Sequence, residues 1–510
     1  MDISASSGEG APRRIGSSWW IGLLLISVLT HLGAAFFSEG RTHPDSDYQI
    51  LEFAQYKAGG ESDLTLPWEF FETIRPALQP ALALMVHERV ADGDPFKTSV
   101  LLRFISAALG LFSAWVLCLY AFRWLSDDRL RFALVALIGT FWMLPWFHVR
   151  FSSEGWAASL LAISIVCVCA ACEPTRRHQW WLAVLGGATL GVSFYLRFPV
   201  AFAILGIGLW VLVVARPGVH VLGSLAVGFL LAVFLNVVVD HWFYGEWVFT
   251  PWNYFIANIV EGRAAEFGVD PWWYYGEKLL LLLVPPVSPL LLAAVAAAFL
   301  LRPRHVLTWV GVCFLIGHSL VGHKETRFLV PLIMPLLVLV VLGAESLGER
   351  FKTRARSMGR RVVRNILIAV FLVMNTAALI YVSLTPAHQE AVIHKWIYET
   401  ASNQPLTVFT WGKHPYYDGT GMVSFFRSSN AQFEAIDLTV GVAPTLRDSD
   451  QPIYVFIPFL DAPALLQAQC PTLGLVSSAV PAWIRGWDVS ERLSSLRIWS
   501  IYRCGKDASS

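Results

Sequence analysis

Charge is scarce in this chain. Only 15% of its 510 residues are Asp, Glu, Lys or Arg, against 55% hydrophobic ones, and the mean hydropathy is +0.55. Soluble domains carry about a quarter charged residues, so a soluble protein is excluded. An excess of either sign is also missing. The net charge of +1 provides no global field to recruit nucleic acid or an acidic partner, so any electrostatic logic is local. The sequence has no internal repeat, no low-complexity segment and no zinc-type pairing of CxxC motifs. Trp, in contrast, is abundant, with 22 copies, as befits rings seated at a lipid-water boundary.

Apolar runs long enough, or nearly so, to cross a bilayer occur at 18–37, 99–122, 132–147, 156–172, 180–196, 198–215, 220–239, 277–300, 306–322, 326–346 and 365–384, about eleven spans. The first, preceded by Arg13 and Arg14, superficially resembles a signal peptide but is too long for one, so it reads as an uncleaved helix. Lys and Arg gather at Arg123, Arg129 and Arg131, at Arg176 and Arg177, at Arg216, at Arg302 and Arg304, and from Arg350 to Arg364. With eleven spans these all fall on one side, and the positive-inside rule makes that side cytoplasmic. The expected organisation is a cytoplasmic tail 1–17, a membrane domain 18–384 and an extracytoplasmic domain 385–510. The last has strand-like runs at 406–411, 453–458 and 496–503 and reads as a small mixed α/β domain. Cys118, Cys167, Cys169, Cys172 and Cys313 lie in or beside apolar runs. Cys470 and Cys504 lie in the outer domain, and the sequence leaves open whether they are bridged.

The outward loops 38–98, 148–155, 240–276 and 323–325 carry the chemistry-bearing residues. The first contains His43-Pro44-Asp45-Ser46-Asp47-Tyr48-Gln49. Ser46 and Gln49 form a capping-box pattern for a helix reaching Gly59-Gly60, which puts Asp45 at the helix mouth. There a carboxylate is either a helix cap or a base held ionised by the dipole; a DxD metal site is a weaker third reading. Trp68 and Glu69 follow, then Arg75, then an amphipathic stretch 77–90 that reads as interfacial. Trp68 serves equally as a boundary anchor or a sugar platform. The turn from His148 to Glu154 reads as salt-bridged through Arg150. The aromatic loop from Asp240 through Asn253 to Trp272 suits a carbohydrate surface or an interfacial belt. His323-Lys324-Glu325-Thr326-Arg327-Phe328 places basic residues on the side otherwise poor in them, which calls for an anionic partner such as a lipid phosphate or, more plainly, ordinary headgroups.

In this order, across residues 43–335, these pieces resemble the GT-C mannosyltransferases of glycosyltransferase family 22, which include the GPI-anchor and asparagine-linked-glycan mannosyltransferases. The family's opening motif usually has a second acid directly after the Asp; here Ser46 stands there and Asp47 follows. The resemblance implies a polytopic α-helical membrane protein of GT-C type that moves mannose, with inversion, from a polyprenyl (dolichyl-type) phosphate carrier to a glycan or glycolipid acceptor. Asp45 is then the expected base, with His323, Lys324, Arg327 and Arg75 on the donor phosphate. Asp47, Trp68, Glu69, Glu154, Asn253 and Trp272 are expected to bind acceptor or sugar. No cofactor beyond the lipid-linked donor is expected, and no divalent metal is required. The membrane is bacterial plasma membrane or endoplasmic reticulum, with the site outside the cytoplasm. The rival is a lipid-linked sugar flippase or transporter, but transporter sites tend to sit at mid-membrane between repeated halves, and here the charged motifs cluster at span ends.

Overall fold

The computed structural model describes residues 17–59, 66–173, 180–350, 358–417, 421–436, 452–470, 472–485 and 497–505. Arg13, Arg14, Gly60, Arg176, Arg177, the tail 1–16 and residues 351–357 of the basic run lie outside them. The membrane part is helical, and we label its longer helices α1 (Ser17–Phe37), α2 (Pro95–Ala121), α3 (Asp128–Thr140), α4 (Ser153–Ala171), α5 (Trp180–Leu196), α6 (Ala201–Trp210), α7 (Val219–Tyr244), α8 (Ser288–Leu301), α9 (Val306–Leu320), α10 (Ile333–Arg350) and α11 (Met358–Leu384).

Among the described residues, seven helical segments are long and apolar enough to cross a bilayer, or eight if α8 and α9, bent by 114°, form one span. The remaining apolar runs fall short for visible reasons. The run 132–147 breaks between α3 and a short helix Met143–His148. That at 277–300 is interrupted between Leu282 and Ser288, where Pro285 and Pro286 supply no N–H. Helices α5 and α9 have only 17 and 15 residues.

Local sequence starts these helices. Asp94 accepts from Phe96 N and Lys97 N ahead of Pro95, and Ser152 accepts from Gly155 N at the head of α4. Packing then depends on small residues: a Cβ at Gly228 of α7 would sit 2.0 Å from Val184 O, and one at Gly187 of α5 2.1 Å from Leu225 O.

The bundle has two chemically distinct poles. At one, Trp20 packs on Phe122 and Phe132, Arg123 meets Glu173 at 2.6 Å, Arg302 meets Glu345 at 2.5 Å, and Trp210 donates to Arg304 O. Helices α2, α4 and α10 lead from there to the other, acidic pole, where Asp45 and Glu154 meet Arg197 and Arg327.

The C-terminal part forms a five-stranded sheet: β1 (Leu406–Thr410), β2 (Ala431–Ala435), β3 (Ile453–Ile457), β4 (Gly474–Ser478) and β5 (Ser500–Cys504), in the order β2-β1-β3-β5-β4. β1 pairs parallel with β2 and β3, and β5 pairs antiparallel with β3 and β4. The three strands legible in the sequence are the buried central ones. β2 and β4 are edges whose faces are largely exposed, so no apolar run marks them. A disulfide joins Cys470 to Cys504.

This part docks on the acidic pole through Lys395–Glu39 at 2.7 Å, Arg41–Glu390 at 2.5 Å, and Tyr48 Oη donating to Gly421 O at 2.6 Å. Glu52 lies in the seam, accepting from Ser424 N at 2.7 Å, from Phe425 N at 2.8 Å and from the Ser424 hydroxyl. Burial pushes its carboxyl up to about 7, overriding those hydrogen bonds. The native state therefore binds this proton more tightly than the unfolded chain, and stability falls as pH rises from about 4.5 through about 7. Thermal unfolding in detergent is expected to show docking weaker at pH 8 than at pH 5, by on the order of 2 kcal/mol, with the slope flattened in Glu52→Gln.

Candidate active site

The site begins where the first outward loop turns into helix. Ser46 N bonds His43 O, and Asp47 N and Tyr48 N both bond Pro44 O, so Asp45 sits in a first helical turn. The expected capping box does not form. Ser46 already has helical backbone angles (φ −64°, ψ −33°), whereas an N-cap requires extended ones, and Gln49 instead donates to Glu69 Oε1 at 3.0 Å.

Arg327, 282 residues further on, is the hub. Its guanidinium meets Asp45 Oδ2 at 2.7 Å, Glu325 Oε2 at 2.6 Å and Glu154 Oε1 at 3.2 Å. His43 bridges two of these acids, with Nδ1 3.1 Å from Asp45 Oδ1 and Nε2 3.2 Å from Glu325 Oε2. Arg197 approaches Glu154 Oε1 at 3.4 Å and lies over the Phe328 ring, 4.7 Å from its centroid. Burial alone raises the Asp45 carboxyl. The His43 hydrogen bond and the charges of Arg327 and Arg75 outweigh it and hold Asp45 well below the usual carboxylate range. Burial likewise opposes ionisation of Glu325, but Arg327 and His43 bring it down to about 2.

These groups open onto a cavity of about 1500 Å³. His43, Asp45, Trp68, Glu69, Arg75, His323, Lys324 and Arg327 line its polar end, while Phe194, Phe198, Phe202, Phe255, Ile259 and Leu320 make an apolar wall. Arg75 lies 3.6 Å from Glu69 and keeps a buried Nε without a partner. Arg197, also on the wall, has Glu154 as its one ion-pair partner among the described residues.

Several expected site residues are elsewhere or occupied. Asp47 pairs with Arg41 at 2.6 Å and faces a separate cavity, because one residue's step beyond Ser46 turns it to the far side of the helix. The Asn253 amide donates to Thr73 Oγ1 at 2.8 Å, pinning two loops. Trp272 is 71% exposed, packs edge-on against Trp273 and does not line the cavity, as suits a boundary anchor. Glu154 turns to Arg327 and Arg197, not Arg150; the latter donates to Ser38 and Gly40.

Lys324 requires the largest correction. It is 4% exposed and its ammonium donates to the carbonyls of Asp270 (2.8 Å), Val321 (2.5 Å) and Gly322 (3.3 Å). All three donors are used in tying two loops together, so none is left for a phosphate. His323 is similarly taken, by Gly268 O at 3.2 Å and Glu325 at 3.0 Å. Lys324→Ala is therefore expected to lower the thermal midpoint by several degrees with the KM for the donor within about twofold of wild type, as steady-state kinetics on folded protein would show.

Comparison of the fold with solved structures yields two of note. ArnT from Cupriavidus metallidurans, solved bound to undecaprenyl phosphate, aligns with a TM-score of 0.51 at 14% identity, covering 96% of this chain and all of that one. The oligosaccharyltransferase of Archaeoglobus fulgidus aligns with a TM-score of 0.50 at 12% identity over 87% of this chain and 69% of that one. The shared fold and the apolar helices thus define a multi-pass helical membrane protein. The Alg9-like mannosyltransferase family model matches residues 20–413, and the chain belongs to that family. Among curated relatives, GPI mannosyltransferase 3 of Candida albicans is 22% identical over 413 residues, 80% of this chain and 77% of that one. A probable Dol-P-Man:Man(7)GlcNAc(2)-PP-Dol alpha-1,6-mannosyltransferase of Schizosaccharomyces pombe is 32% identical over 101 residues, 20% of this chain and 18% of that one. The protein is a mannosyltransferase, as the ordered motifs implied, and nothing in these comparisons supports a flippase.

Sequence reasoning missed Arg197. It stands alone between the apolar runs 180–196 and 198–215, and an arginine that interrupts a membrane hairpin is the signal that could have found it.

Proposed function

We propose that this mannosyltransferase takes mannose from a polyprenyl (dolichyl-type) phosphate carrier and passes it, with inversion, to a glycan or glycolipid acceptor outside the cytoplasm. The observation that carries the reading is the 2.7 Å contact of Asp45 with Arg327 at the polar end of a large cavity whose other wall is apolar. A lipid phosphate needs such a place, with cations at the boundary and hydrocarbon below. The names of the relatives and the lipid phosphate held by the ArnT structure point the same way.

In the proposed reaction the acceptor hydroxyl oxygen attacks the anomeric carbon from the face opposite the phosphate. The new C–O bond forms as the carbon–phosphate-oxygen bond breaks, its electron pair leaves with the polyprenyl phosphate, and the hydroxyl proton passes to Asp45. A carboxylate held well below its usual range is a weak base, but it is always ionised. Such a group suffices where the transition state resembles an oxocarbenium ion, because the hydroxyl becomes acidic only as its bond to carbon forms. The departing phosphate needs positive charge, not a proton. Arg75 and Arg197 have donor capacity to spare for it, and Arg327 adds its charge from behind the carboxylates. This reading needs no divalent ion.

We also infer eleven crossings and an extracytoplasmic site. The reading is supported by the eleven apolar runs of the sequence and by the basic clusters, which with eleven crossings all fall on the side opposite the loops that carry Asp45 and Arg327. Purified protein supplied with polyprenyl-phosphate mannose and a panel of glycan and glycolipid acceptors tests the reaction. Donor-dependent mannosylation of one acceptor class with inverted configuration is expected; retention of configuration, or transfer only from a nucleotide sugar, would refute it.

A further inference from the structure

A second polar cavity, of about 70 Å³, lies on the other side of the His43–Asp47 turn, in the seam between the membrane helices and the C-terminal sheet domain. Among the described residues two arginines in its wall form no ion pair with an acid, although the charge of Glu39 acts on Arg103. Arg103, on α2, gives Nε to Ala35 O at 2.7 Å and Nη1 to Ser99 Oγ at 2.9 Å, and its buried Nη2 has no acceptor. Arg150 donates through Nη1 and Nη2 to Ser38 and Gly40, and its buried Nε has none. They are 5% and 3% exposed. Burial and the like charge of Arg103 push Arg150 down to about 9, so the charge most felt by this group is one that repels it.

The acids in the same wall are already matched. Arg41 holds Asp47 and Glu390 at 2.6 and 2.5 Å, and Lys395 holds Glu39 at 2.7 Å. With the histidines neutral, three acids (Glu39, Asp47, Glu390) and three arginines (Arg41, Arg103, Arg150) line the wall, and Lys395 reaches Glu39 from outside it. A buried guanidinium N–H without an acceptor is costly, and Arg103 Nη2 and Arg150 Nε together call for one. Space of about 10–15 Å³ on this measure holds one water, so the cavity admits a group of roughly five heavy atoms. A tetrahedral oxyanion has that size, and guanidinium forks match its geometry.

We propose that Arg103 and Arg150 form a phosphate-oxyanion site, separate from the transfer cavity, that anchors a phosphate-bearing ligand beneath the C-terminal domain. The phosphate is either free in solution or the headgroup of a membrane lipid. The site does not depend on the reaction proposed above.

The test is the thermal-unfolding midpoint of the full-length protein in two settings. In detergent, inorganic phosphate is titrated against sodium chloride at constant ionic strength; in nanodiscs, phosphatidylcholine is compared with phosphatidylcholine containing phosphatidic acid. A saturable rise in midpoint is expected in at least one setting. Its apparent affinity should fall about tenfold or more in Arg103→Gln and Arg150→Gln, and should stay unchanged in Arg75→Gln, which alters the other cavity. A response to inorganic phosphate identifies a soluble oxyanion, and one confined to phosphatidic acid identifies a lipid headgroup. If the glutamine variants fail to fold, Arg103→Lys, which keeps the charge but loses the fork, should still weaken the response. No rise in either setting would overturn the site, as would a rise that the Arg103 and Arg150 variants leave intact or that Arg75→Gln abolishes.

Discussion

Asp45→Asn is expected to lower mannose transfer about 10³-fold while the protein inserts and unfolds nearly as wild type does. The substitution keeps the shape of the side chain but removes the proton acceptor, and a positioned base is worth about 10² to 10⁴ in rate. Folding should survive because Arg327 keeps Glu154 and Glu325 after Asp45 is neutralised. The loss should fall on kcat, with KM for the donor little changed, since Asp45 is assigned to the acceptor hydroxyl and not to the phosphate. The check is a kinetic comparison at matched amounts of folded protein. Near wild-type kcat would remove Asp45 from the chemistry and leave Glu325 or Glu154 as the carboxylate to examine.

Arg327→Gln is expected to have the largest effect on stability. In the wild type one guanidinium separates three acids, at 2.7 Å from Asp45, 2.6 Å from Glu325 and 3.2 Å from Glu154, and Glu154 is 5% exposed. Without it, buried like charges face each other, and removing one partner of a buried pair costs about 3–5 kcal/mol. Arg327→Lys keeps the charge but cannot reach three carboxylates with one ammonium, so a partial loss is expected. The pH dependence adds a check. Glu325 is held at about 2, below its ordinary 4.5, so its ionised form stabilises the fold above that ordinary value and the contribution is lost as pH falls from about 4.5 toward 2. In Arg327→Gln this contribution should vanish or reverse, because the remaining acids then favour taking up a proton. Unfolding midpoints between pH 4 and pH 8, both proteins carrying Glu52→Gln to remove that group's own fall at higher pH, would show it: the protein with Arg327 should be near its plateau by pH 6, and the Arg327→Gln protein should be more stable at pH 4 than at pH 6.

Much of this arrangement was legible in the sequence because the bilayer imposes a simple grammar. Long apolar runs, basic clusters on alternate connections and charged loops on the others gave the helical architecture and the loops that meet. Arg327 was readable for that reason, as part of a basic cluster on the side otherwise poor in basic residues, and Asp45 from its place at a helix mouth in a family-like motif. Side-chain direction was not. Asp47 follows Asp45 by two residues yet faces another cavity, because the helical turn that starts at Pro44 rotates it away. Lys324 and Arg327 belong to one basic motif, but the ammonium is consumed by three carbonyls and the guanidinium by three carboxylates. Each takes part of its partners from its own loop, Val321 and Gly322 for the ammonium and Glu325 for the guanidinium, and the rest from distant ones, Asp270 in the first case and Asp45 and Glu154 in the second. The edge strands β2 and β4 were invisible for a different reason: being largely exposed, they carry no apolar pattern for a reader to find.

The central claim is that Asp45 and Arg327 work as one unit in moving mannose from a lipid phosphate. A double-mutant cycle tests it most directly, with transfer from polyprenyl-phosphate mannose measured for the wild type, Asp45→Asn, Arg327→Lys and the combined variant, each at equal folded protein. Residues acting as a unit are non-additive. The expected result is a combined variant no slower than the worse single one within about threefold. Losses that multiply, or an Asp45→Asn enzyme that transfers mannose as fast as the wild type, would contradict it.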